Sequence, residues 1–401
     1  MKFAGIIAEY DPFHNGHAWQ LAQAKALGAQ HVAVAMSCGL TQRGALPLLP
    51  EAVRVQAALQ CGADLIFALP APCACAGAEA FARAGVRILA AAGCNALVFG
   101  AETPDAALLM EAARVLCSAA YRTELKRQLA AGARSFAAAR QAAVETLCPG
   151  TALAALLDKP NNNLAVEYCK AILEQEAPMT PVPLPRVGAG HGQALAESGH
   201  TQFASASALR ALWAEQGADA LTPYVPEKAL ELYKKAEIDG MYTDYAAAGR
   251  CELALLRAAC ARPEPFAAVR GVSEGLDHRL ENAVRSCTGL PQLLDALTTV
   301  RYPRARHGAA LAIGMQRWAI AQMTAAALPP LSAFAGGKAG SSADAQKYGP
   351  AGEPLAGKAG KRKRCLHPHG GGTGRSQRFW RTVPPGARAD GGEYIVKKLS
   401  F

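Results

Sequence analysis

The segment Glu9-Tyr10-Asp11-Pro12-Phe13-His14-Asn15-Gly16-His17 has residue types and spacing suited to chemistry on an anion. His14 and His17 stand three apart, a separation that puts two side chains on one face of a helix start, so both imidazoles can address one point. Gly16 has no side chain to hold a ligand away from the backbone. A helix beginning here adds amide N–H groups and a partial positive charge. Such a set can hold a triphosphate and stabilise the charge that develops when its α-phosphorus is attacked. A turn carrying two exposed histidines would show the same residues. So would part of a metal site, although no third ligand stands nearby.

Three further segments carry compatible residues. In Phe99-Gly100-Ala101-Glu102, Gly100 could admit an adenine or ribose against bare backbone, although an ordinary strand-to-helix turn reads alike. Ser205-Ala206-Ser207-Ala208-Leu209-Arg210 is a helix start of small residues with a cation one turn in. Ser205 and Arg210 there suit a pyrophosphate, and Ser205 alone suits a simple N-cap. Arg43, in Gln42-Arg43-Gly44, could reach the same place.

These segments can meet only if the elements around them bring them together. Short β-type runs at Phe3–Ala8, His31–Met36, Asp64–Leu69 and Ala96–Phe99 alternate with helix-period stretches near 17–27, 50–61 and 77–92. That rhythm predicts an α/β, Rossmann-like parallel sheet with crossover helices. Such sheets bind ligands outside the carboxyl ends of their strands, where three of the four segments fall. Residues 104–147 read as helical, Pro160-Asn161-Asn162 opens a helix through Glu174, and the proline-rich run 178–185, closed by Arg186, reads as extended. Ser205–Glu215 restarts a helix, and 226–330 reads as all-helical. The expected division is a nucleotide-binding domain over 1–220, a mainly helical domain over 221–330 and a Gly/Ala/Lys-rich basic tail over 331–401.

Composition bounds the alternatives. With 401 residues, 51% of them hydrophobic and 18% charged, the chain has material for two to three domains and is not wholly disordered. No apolar run reaches the ~18–20 residues of a membrane span. Met1-Lys2-Phe3 leads straight into a strand, so a soluble cytoplasmic protein is expected. The net charge of +10 sits almost wholly in residues 338–401, with 13 Lys/Arg against 4 Asp/Glu, and is no nucleic-acid footprint by itself. That tail reads as disordered or, from roughly 307–330 onward, as the product of a shifted reading frame in a GC-rich gene. The twelve cysteines form no C-x-x-C pair. Cys61, Cys94, Cys117, Cys169 and Cys260 fall in apolar helical patterns, where thiols act as small hydrophobes and not as zinc ligands or a disulfide framework.

The candidate segments, together with Met36-Ser37, Gly62-Ala63-Asp64-Leu65, Leu69-Pro70, Pro160-Asn161-Asn162, Glu274-Gly275-Leu276 and Arg301-Tyr302-Pro303-Arg304-Ala305-Arg306, form a series along residues 1 to about 306. The series resembles the tRNA(Met) cytidine acetate ligases, bacterial members of the H-x-G-H nucleotidyltransferase superfamily. The resemblance implies a nucleotidyltransferase-like ATP-binding domain followed by a helical tRNA-binding one. It implies an enzyme that activates acetate with ATP as acetyl-adenylate, releasing pyrophosphate. The acetyl group then passes to N4 of the wobble cytidine of elongator tRNA(Met). Carried over by position, the nucleotide contacts would be Ile7, Ala8, Glu9, Tyr10, Asp11, Pro12, Phe13, His14, Asn15, Gly16, His17, Ala18, Trp19 and Gln20, with Gly100, Asn161 and Arg186. His14 and His17 would serve the α-phosphate, and Ser205 and Arg210 the departing pyrophosphate. Magnesium is expected, held mainly by the ATP phosphates, with no protein metal site, no membrane and no DNA partner. Arg301, Arg304 and Arg306 would face the tRNA. The sequence departs from the family pattern at Cys38-Gly39, Glu51-Ala52 and Val300. Two other readings of this strand end stand beside it: a cofactor-type adenylyltransferase, and a non-catalytic ATP- or RNA-binding relic.

Overall fold

The computed structural model describes residues 1–298 apart from 134, 187–195, 199–200, 262–263 and 267–274, with the backbone alone at 196–198 and 201. Glu274, Val300, Arg301, Arg304, Arg306 and the tail over 331–401 lie outside the described residues.

Five strands, β1 (Phe3–Ala8), β2 (His31–Ser37), β3 (Leu65–Leu69), β4 (Ala96–Ala101) and β5 (Thr180–Pro185), form one parallel sheet in the order β3-β2-β1-β4-β5. Helices α1 (Asn15–Ala26), α2 (Glu51–Gln60), α3 (Ala71–Ala74) and α4 (Ala78–Ala91) connect the first four strands. Between β4 and β5 run α5 (Ala106–Cys117), α6 (Ala119–Ala130), α7 (Phe136–Leu147), α8 (Leu153–Leu156) and α9 (Pro160–Glu174). The stretch 104–147, expected to be helical, holds three helices, α5 to α7. Ser118 and Ser135 restart it as N-caps, accepting from the N–H of Tyr121 and Ala138. A short hairpin follows, β6 (Ala196–Ser198) with β7 (Thr201–Phe203), and then α10 (Ala206–Gln216), a 3₁₀ turn (Ala218–Leu221), α11 (Glu227–Ile238), α12 (Tyr245–Ala259), α13 (Leu276–Ser286) and α14 (Leu290–Leu297).

Side chains alternate across each strand and so divide between two helical layers. Ala33, Ala35, Leu97 and Phe99 enter one core with α4, α5 and α9. Ala4, Ile6, Val32, Val34, Met36 and Val98 enter the other with α1, α2, α10 and α11. Because Leu221, Tyr224, Ala229 and Tyr233 belong to this second core, the sheet's packing continues past residue 220 to Ala236. Helices α12 to α14 build a separate core around Leu253, Leu256, Leu280, Val284 and Leu293. At the centre, a Cβ on Gly85 would fall 2.5 Å from Ile7 Cδ1, and one on Gly5 2.9 Å from Leu89 Cδ1. These glycines let α4 lie close against β1.

Strand β5 carries Pro181, Pro183 and Pro185 and is still a strand. It is the sheet edge, and prolines at every second position leave Thr180, Val182 and Leu184 to supply the N–H groups that bond β4. The missing donors fall on the open side, which also blunts the edge against further pairing. Cys94, Cys169 and Cys260 are buried and Cys61 and Cys117 half-buried, all as free thiols. Burial pushes the Cys61 thiol up to about 11 and those of Cys94 and Cys169 up to about 12.

Candidate active site

The chain runs from β1 outward to β2 and β3, then returns across β1 to place β4 on its other side. The crevice between the carboxyl ends of β1 and β4 is the switch point, and a cleft of about 460 Å³ opens there. Gln20 Nε2 on α1 spans it at depth, donating to Val98 O of β4 at 3.2 Å.

At the end of β1, Tyr10 adopts a left-handed backbone (φ 50°) and the Asp11-Pro12 peptide is cis, so the chain turns sharply into α1. Arg54, on α2 and 1% exposed, fixes this turn. Its guanidinium donates to Glu9 O (2.7 Å), Ser37 O (2.8 Å), Cys38 O (2.6 Å) and Leu49 O (3.1 Å), tying the ends of β1 and β2 to the following loop. Cys38 takes part through its carbonyl, so this contact does not depend on the side chain at that position. Asp11 accepts from Leu48 N–H (2.6 Å), and Arg210 Nη1 donates to both Asp11 O (2.6 Å) and Asp11 Oδ2 (3.2 Å). Tyr233 OH donates to Phe13 O at 2.8 Å.

His14 is the N-cap of α1. Its Nδ1 accepts from Gly16 N–H (3.1 Å), while His17 Nδ1 accepts from His14 N–H (3.3 Å), a reciprocal capping box made of two histidines. The rings stack with centroids 3.8 Å apart. Each Nδ1 is an acceptor, so each neutral ring carries its proton on Nε2. Burial, then Arg186, pulls the His14 pKa down to about 4. Burial, His14 and Arg186 hold His17 well below its ordinary value. The pair therefore presents two neutral Nε2–H donors at neutral pH.

The expected free N–H groups of α1 are engaged. Asn15 N–H donates to Tyr224 O (2.8 Å), Gly16 N–H to His14, and His17 N–H to His14 O (2.9 Å). The N-terminus of α9 is likewise occupied, because Glu102 accepts from the N–H of Asn161 (3.2 Å) and Asn162 (2.7 Å) and from Asn161 Nδ2 (2.5 Å). Helix α10, by contrast, keeps open donors at the cleft. Ser205 caps Ala208 N–H (3.2 Å), and the N–H groups of Ala206 and Ser207 have no partner among the described residues.

The cleft brings together Ile7, Ala8, Glu9, Tyr10, Asp11, His14, Gly16, His17, Trp19, Gln20, Gly100, Asn161, Arg186 and Ser205, and its cations are Arg43 and Arg186. Pro12, Phe13, Asn15, Ala18 and Arg210 are not on its wall. Phe13 is core, and Asn15 Nδ2 donates to Gln202 O and Pro223 O. Arg210, expected to face a pyrophosphate, faces Asp11 instead. At Gly16 the close neighbour is protein: an added Cβ would meet His14 Cε1 at 2.9 Å. At Gly100 the nearest atom to a Cβ is Arg186 Cγ at 3.6 Å, and the residue is exposed, leaving space for a ligand. Arg54, Glu102 and Tyr233 were not among the expected site residues. The one sequence signal for them is an arginine on α2 in phase with the apolar positions Ala57 and Ala58.

A model of the HIGH nucleotidyl transferase family matches residues 1–326. The tRNA(Met) cytidine acetate ligase of Syntrophotalea carbinolica is 33% identical over 311 residues, covering 76% of this chain and 72% of that protein. The one from Bacillus subtilis is 32% identical over 309 residues, covering 75% and 73%. Among solved structures, Thermotoga maritima TmcAL bound with alpha-thio ATP is similar with a TM-score of 0.71 at 27% identity, over 78% of this chain and 74% of that one. Its apo form gives 0.72 at 28% identity, over 79% and 76%.

Proposed function

This chain belongs to the HIGH nucleotidyl transferases and, within them, to the tRNA(Met) cytidine acetate ligases, and from that premise we infer how its cleft carries out the ligation. The enzyme is an ATP-dependent ligase whose substrates are acetate and the wobble cytidine of elongator tRNA(Met). ATP lies across the switch point, base and ribose against the bare backbone of Gly100 and the triphosphate over α1 and α10. The observation that carries this reading is the pair of stacked imidazoles, each locked by its Nδ1 and left with an Nε2–H donor at the cleft.

Acetate is already an anion at neutral pH, so its attack on the α-phosphorus needs no base; it needs alignment and stabilisation of the charge on the phosphoryl oxygens. The Nε2–H groups of His14 and His17 supply the stabilisation. Being neutral before the nucleotide arrives, they accept its charge without first losing an ion pair. Pyrophosphate leaves toward Ser205, the open N–H groups of Ala206 and Ser207, and the guanidiniums of Arg43 and Arg186. Arg210 acts through Asp11, as a positioning residue. In the second step N4 of cytidine attacks the acetyl carbonyl carbon and AMP departs, giving N4-acetylcytidine. The cytidine must leave its stack to enter a cleft of this depth.

Among the described residues no group of three or more His, Cys, Asp or Glu could hold a metal ion. Magnesium accompanying the nucleotide would be held mainly by the phosphate oxygens and water. Nor does any described helix have the length and apolarity to cross a membrane, and we place the enzyme with its tRNA in the cytoplasm.

Acetate-dependent ATP–pyrophosphate exchange tests the reading. Exchange should fall on the order of 10²-fold in His17→Ala, the scale of losing one preorganised donor. Exchange unchanged in the variant, or driven by a mononucleotide in place of acetate, would overturn it.

A further inference from the structure

Acylation of an amine releases a proton. When the N4–C bond forms and the C–O bond to AMP breaks, one N4 hydrogen must be taken up. Two carboxylates line the cleft, and they differ. Asp11 is bound by Arg210 and by Leu48 N–H. Glu9 has no cation within ion-pair distance among the described residues. Its Oε1 accepts from Gln42 N–H at 2.5 Å, and its carbonyl accepts from Arg54 at 2.7 Å, so the residue is held at both ends. Its Oε2 has no hydrogen-bond partner among the described residues. Ala78, Phe81 and Tyr168 share the cleft with it and keep the surroundings weakly polar.

We propose that Glu9 is the general base of acetyl transfer. Oε2 accepts the N4 proton as nitrogen attacks the acetyl carbon, the electron pair of the breaking C–O bond leaves on the AMP phosphate, and Glu9 later returns its proton to water. This rests on the cleft being the acetyl-adenylate site. The electrostatics agree with the geometry. Burial raises the Glu9 carboxyl above the usual carboxylate range, Gln42 N–H, Arg210 and Arg43 draw it back, and Asp11 adds to the rise. Arg54, Cys75 and Tyr168 also face it. A desolvated carboxylate of raised pKa is a stronger base toward the N4 proton.

The test separates the two half-reactions in Glu9→Gln, which keeps the side-chain shape and an oxygen for Gln42 N–H. One arm is acetate-dependent ATP–pyrophosphate exchange. The other is single-turnover acetyl transfer to tRNA(Met) from synthetic acetyl-adenylate, which bypasses the first step. Transfer should fall about 10²–10⁴-fold, the usual contribution of a general base, and at least roughly tenfold more than exchange falls. Wild-type transfer should decline as pH drops through a pKa above the usual carboxylate range, and that inflection should vanish in the variant. Transfer within about threefold of wild type, with the inflection kept, would overturn the proposal and give the proton to the leaving AMP phosphate. A parallel loss of both half-reactions would also overturn it, making Glu9 a wall residue. Absent exchange in the wild type would refute the reading of the cleft, while the synthetic adenylate would still report on Glu9.

Discussion

Replacing Arg54 with methionine keeps most of the side-chain volume and deletes four hydrogen bonds from one buried guanidinium. Bonds from a charged donor are each worth about 1.5–3 kcal/mol net when removed singly. The four cannot simply be added, because the substitution also relieves the several kcal/mol spent desolvating the cation. Burial draws the Arg54 pKa down, which is the sign of that cost. The carbonyls of Glu9, Ser37, Cys38 and Leu49 meanwhile lose their common donor. The expected net loss is about 3–5 kcal/mol, the range seen when one member of a buried polar set is removed. At ~2–4 °C per kcal/mol for a chain of this order of size, melting should drop by roughly 6–20 °C. Thermal unfolding followed by circular dichroism reads this directly. Arg54→Lys should recover less than half, since three donors on one nitrogen cannot reach carbonyls in three separate segments. A methionine variant within ~1 kcal/mol of wild type would refute the claim that Arg54 holds the strand ends together.

Two more predictions concern the histidine pair. Both imidazoles have folded pKa values below the ordinary one, His14 at about 4. As pH falls below ~6.5 the unfolded chain takes up their protons first, so the stability that the neutral rings contribute is complete above that pH and is lost toward about 4. Melts of the nucleotide-free protein should fall across this window more steeply than those of a His14→Asn, His17→Asn double variant; equal slopes would count against buried neutral rings. Gly16→Ala places a methyl 2.9 Å from His14 Cε1, driving the ring off the Gly16 N–H. Exchange should drop at least ~10-fold with little change in melting, and a fully active variant would show that the lock on Nδ1 is dispensable.

The sheet was legible because its strands are apolar runs separated by helix-period stretches, a local signal. The proline-rich run 178–185 was legible only as extended; its pairing with β4 as the edge strand was not. The histidine pair was legible because its signal, too, is local: His14, Gly16 and His17 build their capping box within one turn. What the sequence hides is which donors are already taken. Arg210 looks like a phosphate ligand in its own segment, and its partner Asp11 lies 199 positions away. The N–H groups of α1 look free until Tyr224 is brought against Asn15. Glu102, in a turn that reads as ordinary, closes the N-terminus of α9.

These long-range contacts change what the site is made of. A helix start at a switch point ordinarily binds an anion through its backbone, but here the backbone of α1 is consumed by its own caps, and imidazole edges stand in its place. A backbone N–H is a fixed donor at any pH, whereas an imidazole can gain a proton as charge builds beside it. Burial and Arg186 keep His14 and His17 neutral in the empty cleft, and an incoming triphosphate opposes both effects by adding negative charge. Nucleotide binding should therefore be accompanied by proton uptake only if the capping box opens, because a second proton must sit on Nδ1, which accepts Gly16 N–H in His14 and His14 N–H in His17. Calorimetry of ATP binding in buffers of different ionisation enthalpy measures that uptake. A binding enthalpy independent of buffer would mean that the two rings remain neutral donors throughout, and that Arg43, Arg186 and the open turn of α10 carry the charge of the triphosphate alone.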